Sequence, residues 1–336
     1  MDRFGEMSVL VQIVENGGFS AAARALSMTP SAVSKLVGRM EERLGTRLFH
    51  RTSRSVVLTA EGQLFYAAAL RALDALEDAE AVNDSILRGT LRIRSMPTFA
   101  KYQILPLLPR FRERHPHLRL EFHLDNEWLN PLEGGIDVAL VGGLPADSAF
   151  VTRKISTTRW LICAAPAYLA HRGRPTSLCE LDRHDCLGFT MNTPWNLWSR
   201  PGSGEMENVR VPDTIASNQG EMLIALAKAG LGILRTAEYA IAEDLRDGSL
   251  IDLFPESAAL PEEPIYIVFR DQAHLSARTR TFVDFVVESF RGTPPWSIRA
   301  SQILEEVRVE NQFDSRHPAP NGRLFVDTGR QLGRAS

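Results

Sequence analysis

Two runs near the start of the chain place apolar side chains at every third or fourth position, and a short alanine-rich run lies between them. This spacing gathers the apolar side chains on one face of a helix. We expect helices over residues 3–16, 21–26 and 30–44. Ser20 is a favourable cap for the second helix. Thr29 is a favourable cap for the third, with Pro30 at the first helical position, where the missing N–H costs nothing.

The third helix has two unlike faces. Its apolar side is formed by Val33, Leu36, Val37, Met40 and Leu44. The opposite side carries short polar and cationic residues, among them Ser31, Ser34 and Lys35. Residues 48–58 then form two short apolar stretches around a basic turn, which is typical of a hairpin. Three helices followed by this hairpin predict a winged helix-turn-helix over residues 1–58.

A long helix is expected after the hairpin. Thr59 can cap it, and no helix breaker occurs between Gln63 and Arg88, so a linker helix is predicted within residues 59–89. Small and apolar residues alternate steps of four and three along it: Phe65, Ala69, Ala72, Leu76, Ala79, Asn83 and Ile86. This is the spacing of a coiled-coil seam and predicts dimerisation, while a helix packed on its own domain is the alternative.

From residue 90 onward, apolar strands alternate with amphipathic helices, which predicts parallel sheets. The first group contains strands at 91–94, 118–124 and 137–141, with helices at 99–114 and 129–132. The second group contains strands at 160–165 and 208–217, with helices at 166–170, 178–182 and 219–229. A last strand at 265–269 precedes a helix that has no sheet of its own. That helix is expected to return to the first group.

The chain is therefore predicted to contain an α/β domain of two lobes over residues 90–293. The first lobe comprises residues 90–160 and 268–293, and the second comprises residues 161–267. Residues 294–336 mix charged residues, proline and glycine with little periodicity, so a disordered extension is expected there.

The overall composition is that of a globular protein, with 44% hydrophobic and 24% charged residues in a chain of 336. No apolar run approaches the roughly 18 residues of a membrane span, and the first residues do not resemble a secretion signal, so a cytoplasmic location is expected. Three scattered cysteines predict neither a disulfide framework nor a zinc site. No metal or cofactor is expected.

The net charge of −3 hides a local excess of basic residues. Between Ser31 and Arg54, six basic residues face only two acidic ones, Glu41 and Glu42, which leaves a net charge of +4. Local positive charge attracts the phosphates of nucleic acids. The winged helix-turn-helix is therefore expected to bind DNA, although the whole chain is slightly acidic.

Several segments resemble one known family. They are Phe19-Ser20-Ala21-Ala22-Ala23, Pro30-Ser31-Ala32-Val33-Ser34-Lys35, Leu48-Phe49-His50-Arg51-Thr52, Leu58-Thr59-Ala60-Glu61-Gly62, Ala165-Pro166-Ala167-Tyr168-Leu169 and Ala229-Gly230-Leu231-Gly232-Ile233. On these segments the chain resembles LysR-type transcriptional regulators over roughly residues 1–292. The resemblance implies a winged helix-turn-helix, a dimerising linker helix and a two-lobed effector domain similar to periplasmic binding proteins. It also implies a homodimer or homotetramer, and RNA polymerase is a further candidate partner.

In a helix-turn-helix, the start of the second helix of the pair enters the major groove of double-stranded DNA. The predicted contacts are Ser20, Thr29, Pro30, Ser31, Ser34, Lys35, Arg51 and Arg54. Lys35 is expected to approach guanine or a phosphate, and the wing residues Arg51 and Arg54 a phosphate or the minor groove. Many relatives have arginine at the position of Lys35, so bidentate reading of guanine is not implied. Arg39, Arg43 and Arg47 are alternatively paired with acidic neighbours.

A small-molecule effector is expected between the two lobes, at the carboxyl ends of the strands. The predicted lining is Pro97, Thr98, Phe99, Gly142, Gly143, Thr190, Asn192, Ser217 and Asn218. Helices begin after Thr98 and Asn218, and their N-termini favour a small organic acid. Ordinary helix capping by these two side chains is the alternative.

Other functions are less well supported by the sequence. An enzyme would use His184-Asp185-Cys186, but adjacent residues do not readily assemble a nucleophile and its base. A redox-sensing regulator would use Cys179 and Cys186. A ligand carrier would leave the DNA-binding segment unexplained.

Overall fold

A computed structural model describes residues 3–51, 56–80, 87–126, 130–143, 150–201, 206–210, 213–255, 262–270 and 275–297. The wing residue Arg54 and the seam residues Asn83 and Ile86 lie outside these ranges. None of the helices within them combines the length and the hydrophobicity of a membrane span.

The N-terminal unit consists of three helices and a hairpin. They are α1 Arg3–Glu15, α2 Phe19–Ala25, α3 Pro30–Leu44, β1 Phe49–Arg51 and β2 Val56–Leu58. The Thr29 hydroxyl accepts a hydrogen bond from the N–H of Ala32 at 3.2 Å, and α3 ends at Gly45, which has a left-handed φ of 67°. The strands pair antiparallel, with Phe49 opposite Leu58. The predicted third helix and the two strands of the wing are confirmed.

The start of α2 differs from the prediction. The helix begins at Phe19, no side chain caps it, and Ser20 lies within its first turn. The ring of Phe19 packs edge-on against Phe49, with centroids 5.5 Å apart. We attribute the earlier start to this tertiary contact, so the prediction of Ser20 as a cap was wrong.

The linker helix α4 spans Ala60–Glu80 in the described part of the chain. The Thr59 hydroxyl accepts from the N–H of Gly62 at 2.9 Å and donates to the carbonyl of Arg47 at 2.7 Å, so the predicted cap is confirmed. Ala69 is fully buried in a cluster with Val11 of α1. This seam position is used within the chain, so its prediction as a dimer contact was wrong.

Other seam residues are placed differently. Phe65 is partly buried and packs against the core of the N-terminal unit, whereas Leu76 keeps 36% of its surface exposed. Ala72 is half-buried, and the side chain of Ala79 lies outside the described part of the structure. Among the seam residues whose side chains the structure describes, Leu76 is therefore the most open to a partner.

The first lobe contains a five-stranded mixed sheet in the order β4-β3-β5-β14-β6. Its strands are β3 Thr90–Ser95, β4 Arg119–Leu124, β5 Val138–Gly142, β6 Val151–Thr158 and β14 Glu263–Phe269. The first three run parallel, as predicted, but β14 is antiparallel to both β5 and β6. After β3 the chain forms α5 Pro97–Phe99, a π turn at Ala100–Ile104, a 3-10 turn at Leu105–Leu107 and α6 Leu108–Arg114.

The second lobe contains a sheet in the order β11-β8-β12-β7-β13. Its strands are β7 Trp160–Ala164, β8 Cys186–Phe189, β11 Asp213–Ser217, β12 Ile233–Ala237 and β13 Ile251–Asp252. A separate hairpin pairs β9 Leu197–Pro201 with β10 Met206–Arg210. The helices are α7 Pro166–Arg172, a 3-10 helix at Leu178–Arg183, α8 Gly220–Lys228 and α9 Glu238–Arg246.

Three predictions for the lobes need correction. The return to the first lobe occurs at Glu263, because β14 pairs with first-lobe strands, so the boundary at residue 267 was too late. The strand expected at 208–217 is divided between β10 and β11. The short helix expected to end at Leu132 is replaced by a 3-10 turn at Glu133–Gly135.

After β14, the first lobe is completed by α10 Ala277–Ser289, whose buried residues include Phe282 and Val286. Residues 291–297 follow it and are named the C-terminal strap. Within this strap, Trp296 is only 2% exposed. The prediction of a disordered extension from residue 294 was therefore wrong at its beginning, because the indole finds an apolar site that local sequence does not reveal.

Candidate DNA-reading surface and effector cleft

The polar face of α3 is open to solvent at the end where the helix begins. Its exposed residues are Thr29, Pro30, Ser31, Ser34 and Lys35. The opposite face, including Val33 and Val37, is fully buried in the core of the N-terminal unit. The hydroxyls of Thr29 and Ser31 lie 3.1 Å apart. Five of the predicted DNA contacts therefore lie on one short surface at the start of α3, a helix whose opposite face is buried in the core.

The basic residues around this surface fall into two groups. Arg43 pairs with Glu6 of α1 at 2.6 Å, and Arg47 pairs with Glu41 at 3.0 Å. Lys35 and Arg39 are exposed and make no ion pair with any residue that the structure describes. The alternative of pairing with acidic groups therefore holds for Arg43 and Arg47, and the two unpaired cations remain available to phosphates.

Two further predicted contacts lie outside α3. Arg51 ends β1, and its backbone pairs with Val56. Ser20 is exposed in the first turn of α2. Sequence analysis missed Arg24, which is exposed in the last turn of the same helix. A charge count begun at Ser31 leaves out Arg24, whereas a count over both helices of the pair would have included it.

Glu41 connects α3 to the wing. Its side chain is buried, and its carboxylate accepts from the N–H of Leu48 at 2.9 Å and from that of Phe49 at 3.4 Å. Burial alone would raise the pKa of the carboxyl. The backbone donors and the guanidinium of Arg47 outweigh burial, and the pKa lies below its ordinary value. Glu41 is therefore ionised at neutral pH and fixes where β1 begins.

A narrow cleft lies between the two lobes, with a cavity volume of only about 20 Å³. Its aromatic wall is formed by Trp160, Phe189 and Trp195. Polar atoms come from Thr98, Asn126, Thr236 and Tyr239. Apolar walls with a few convergent polar groups are typical of sites for small molecules.

Few of the predicted effector contacts line this cleft. Thr98 does, and Asn218 borders it, because its carbonyl accepts from the side chain of Asn126 at 3.0 Å. Neither Thr98 nor Asn218 caps a helix, so the capping alternative was wrong. The hydroxyl of Ser217 instead accepts from the N–H of Gln219 at 3.0 Å.

The other predicted contacts are not among the residues that line this cleft, and their contact with an effector stays a prediction. Pro97 and Phe99 are both buried, and Phe99 belongs to the main hydrophobic core. Gly142 and Gly143 lie beside Glu263, and a Cβ on Gly142 would come within 2.9 Å of its carboxylate. Thr190 and Asn192 are exposed and do not belong to the described lining.

Polar contacts join the lobes around the cleft. The hydroxyl oxygens of Thr98 and Tyr239 are 3.2 Å apart. The ammonium of Lys101 lies 2.9 Å from the carboxylate of Glu221. Together with the bond between Asn126 and Asn218, these contacts hold the two walls close. The structure is therefore that of a nearly closed cleft.

A charged pair that the sequence analysis missed lies beside the aromatic wall. The guanidinium of Arg235 stacks 4.7 Å from the ring of Trp160 and donates to the carbonyl of Trp195 at 3.0 Å. Burial lowers the pKa of Arg235 to about 10, which leaves it charged at neutral pH. The indole N–H of Trp160 donates to Glu263. One charged residue within the apolar strand Ile233–Ala237 was the available sequence signal.

The carboxyl group of Glu263 is perturbed by the same surroundings. Burial raises its pKa, and the hydrogen bond from Trp160 and the charge of Arg235 only partly oppose this effect. Both charged groups therefore depend on the position of the Trp160 ring. Movement of that ring would alter the electrostatics beside the cleft.

The cysteines do not form a reactive pair. Cys186 is buried in β8, and burial raises the pKa of its thiol to about 12. Cys163 is fully buried, and burial also raises its pKa, whereas Cys179 is exposed. Because the thiolate is the reactive form, Cys186 is poorly suited to redox sensing.

Comparison with known proteins agrees with this architecture. Residues 4–63 match the family model described as bacterial regulatory helix-turn-helix protein, lysR family, and residues 85–291 match the LysR substrate binding domain. The chain is 36% identical to the transcriptional regulator CrgA of Neisseria meningitidis over 287 residues, covering 84% of this chain and 95% of the relative. It is 30% identical to the transcriptional activator TtdR of Escherichia coli over 288 residues, covering 84% and 91%.

Solved structures show the same relationship. The structure of CrgA from Neisseria meningitidis, a LysR-type transcriptional regulator, is similar with a TM-score of 0.58 and 34% identity, covering 86% of this chain and 99% of that one. The two family models together span both the helix-turn-helix and the two lobes. These relatives are regulators and not enzymes. The chain therefore belongs to the LysR family of bacterial transcriptional regulators, which bind DNA and respond to effectors.

Proposed function

We propose that this regulator reads duplex DNA with the first turns of α3 and responds to a small organic acid bound in the cleft between its lobes. The observation that carries the DNA-reading assignment is the exposed row of Ser31, Ser34 and Lys35 at the start of α3. A regulator of this kind acts on chromosomal DNA in the cytoplasm, with RNA polymerase as a further candidate partner.

Each exposed group on α3 has a suitable partner in the major groove. The ammonium of Lys35 can donate to guanine O6 or N7 or to a phosphate, and the hydroxyl of Ser34 can bond to either. Pro30 offers an apolar surface to a thymine methyl group. Ser20, Arg51 and Arg54 are proposed to contact the backbone and so to position the helix rather than specify the sequence.

We propose that α4 joins two such readers. Leu64 and Leu76 of this helix keep 75% and 36% of their surfaces exposed. Burial of exposed leucines against a second copy is favourable, at about 25 cal/mol per Å² of apolar surface. A homodimer or a tetramer built from two dimers would present paired helices to a roughly two-fold symmetric site.

The effector assignment is supported by the cleft itself. The helical segments that begin at Pro97 and Gly220 meet at the cleft, because a Cβ on Gly220 would come within 3.0 Å of the Thr98 methyl group. The N–H groups at helix starts favour anions. Trp160 and Phe189 add an apolar wall. A carboxylate attached to a small apolar or aromatic body matches this combination.

DNA reading is tested by replacing Lys35. Fragments that bind the protein are first identified by genome-wide mapping and then used in an anisotropy titration at fixed salt. Lys35→Ala is expected to weaken binding by about 1–3 kcal/mol if it contacts a base, or to reduce the salt dependence by about one ion if it contacts a phosphate. Arg43→Ala is the control, because Arg43 is already paired with Glu6. Equal affinity of Lys35→Ala and the wild type refutes the placement of α3.

Effector binding is tested by thermal shift with acetate, succinate, benzoate and salicylate as probes. Stabilisation by a probe at 100 times its Kd is expected to reach about 2.7 kcal/mol. Thr98→Ala is expected to remove the stabilisation, whereas Thr190→Ala, which alters an exposed residue outside the described lining, is expected to retain it. Loss in both variants, or in neither, contradicts the assignment of the cleft.

A further inference from the structure

The C-terminal strap begins where the match to the LysR substrate binding domain ends. The match to the LysR substrate binding domain ends at residue 291, and α10 ends at Ser289. Trp296 nevertheless belongs to the main core and is among its largest fully buried side chains. A tryptophan buried to this extent buries a large apolar area and contributes to the stability of whatever it packs against.

Trp296 contacts both lobes. Its ring centroid lies 5.7 Å from that of Phe290 and 6.1 Å from that of Phe99, both in the first lobe. It also lies 6.0 Å from the ring of Tyr239, which belongs to α9 of the second lobe. The strap makes a second contact with α9, because the guanidinium of Arg246 donates to the carbonyl of Pro295 at 3.1 Å. The strap therefore ties the end of the first lobe to α9.

Tyr239 carries this contact to the cleft. It is buried, and its ring meets Phe99 edge-on with centroids 5.1 Å apart. Its hydroxyl is 3.2 Å from that of Thr98, and its carbonyl accepts from the side chain of Gln103 at 2.8 Å. Thr98 and Tyr239 both line the cleft. One side of the Tyr239 ring is thus fixed by the strap, while its hydroxyl faces the effector site.

We propose that Trp296 is a positioning residue of the effector cleft, which holds Tyr239 against Thr98 and sets the separation of the two lobes. The role of the cleft in effector binding rests on the proposed function, but the mechanical role of Trp296 does not. Without the indole, a cavity opens between Phe99, Phe290 and Tyr239. This cavity persists because protein interiors relax only partly around a missing side chain. The aromatic contact by which Trp296 joins the two lobes is then lost.

Hydrogen–deuterium exchange of the full chain without any effector tests this proposal. Trp296→Ala is expected to accelerate exchange about tenfold or more in peptides covering residues 96–103 and 237–242, while peptides of α3 keep their wild-type rates. Trp198→Ala is the matched control, because Trp198 is also buried but packs in a separate cluster of the second lobe with Leu181 and Ile233. It is expected to leave the peptide covering 96–103 unchanged.

Two truncations separate the strap from the residues that follow it. A chain ending at Ser297 is expected to exchange like the wild type at residues 96–103, whereas a chain ending at Arg291 is expected to behave like Trp296→Ala. Trp296→Phe retains an aromatic ring and is expected to restore most of the protection, which makes it the conservative rescue of Trp296→Ala.

Wild-type exchange at residues 96–103 in Trp296→Ala and in the chain ending at Arg291 overturns the proposal, and the chain ending at Arg291 decides alone if Trp296→Ala does not fold. Equal acceleration of that peptide in Trp198→Ala also overturns it, since the effect would then reflect general destabilisation. Failure of every organic acid to bind refutes the effector assignment but leaves the exchange result interpretable. The two proposals therefore fail independently.

Discussion

Replacing Glu41 by alanine removes the carboxylate that joins the end of α3 to the start of the wing. In the wild type this buried group accepts from the N–H of Leu48 at 2.9 Å and, more weakly, from that of Phe49 at 3.4 Å. A hydrogen bond to a charged acceptor contributes about 1.5–3 kcal/mol. The ion pair adds little, because the Arg47 side chain is 69% exposed and solvent screens it. We therefore expect a loss of about 2–3 kcal/mol in local stability.

Native-state hydrogen exchange measures this loss in the full chain, where separate domains make a single unfolding midpoint hard to interpret. Amides of α3 and β1 are expected to exchange about 30- to 150-fold faster in Glu41→Ala. Glu42→Ala is the matched control, because Glu42 is exposed and its carboxylate has no hydrogen bond within the described part of the structure. Equal exchange in the two variants would refute the view that Glu41 fixes the wing.

The pH dependence supplies an independent check. The pKa of Glu41 is lower in the folded chain than its ordinary value of about 4.3, so its contribution is fully present above that value. The contribution is lost as the pH falls through the folded pKa. The difference between wild type and Glu41→Ala is therefore expected to persist from pH 6 to 8 and to close below about pH 4. A difference that grows on acidification contradicts this account.

Two further predictions concern packing and the thiols. Gly62→Ala is expected to destabilise the chain by about 2–3 kcal/mol, because its Cβ would collide with the backbone of Leu48. Gly38→Ala has open space around its Cβ and is expected to stabilise α3 by about 0.5–1 kcal/mol. Amides of α3 are therefore expected to exchange more slowly in Gly38→Ala and faster in Gly62→Ala, and equal changes contradict the packing. Iodoacetamide at pH 8 is expected to alkylate only Cys179 in the native chain, and peroxide is expected to form no disulfide between Cys179 and Cys186. The reason is that burial raises the pKa of the Cys186 thiol to about 12. Mass spectrometry checks both outcomes, and native modification of Cys186 contradicts them.

Elements with signals at both ends were predictable from the sequence. The third helix has Thr29 and Pro30 at its start and Gly45 at its end, and the structure places α3 at Pro30–Leu44. Ser20 carried an equally good local signal for a helix starting at residue 21, yet α2 begins two residues earlier, at Phe19, which packs against Phe49. A cap signal is therefore decisive only where no tertiary contact competes with it.

The effector cleft was predicted less well, because a loop that directly follows a strand in the sequence does not always lie at the cleft in the folded chain. Thr98 was found by the rule that parallel strands bind ligands at their carboxyl ends. Trp160 is the first residue of β7, which runs antiparallel to β12, Arg235 lies in the middle of β12, and Tyr239 lies in the first turn of α9, so none of the three follows the carboxyl end of a parallel strand directly. Their side chains meet Thr98 and Glu263 only because the chain crosses twice between the lobes.

Trp296 shows the same limit at the C-terminus and gives it a functional meaning. Its neighbours in sequence are rich in proline and charge, which favours disorder when only local composition is considered. The indole is nevertheless buried because Phe99, Tyr239 and Phe290 together form an apolar site for it. These three residues belong to both lobes and surround the polar contact with Thr98. Local composition predicts disorder at Trp296, yet this residue lies where the two lobes meet, at the contact on which we propose that the geometry of the cleft depends.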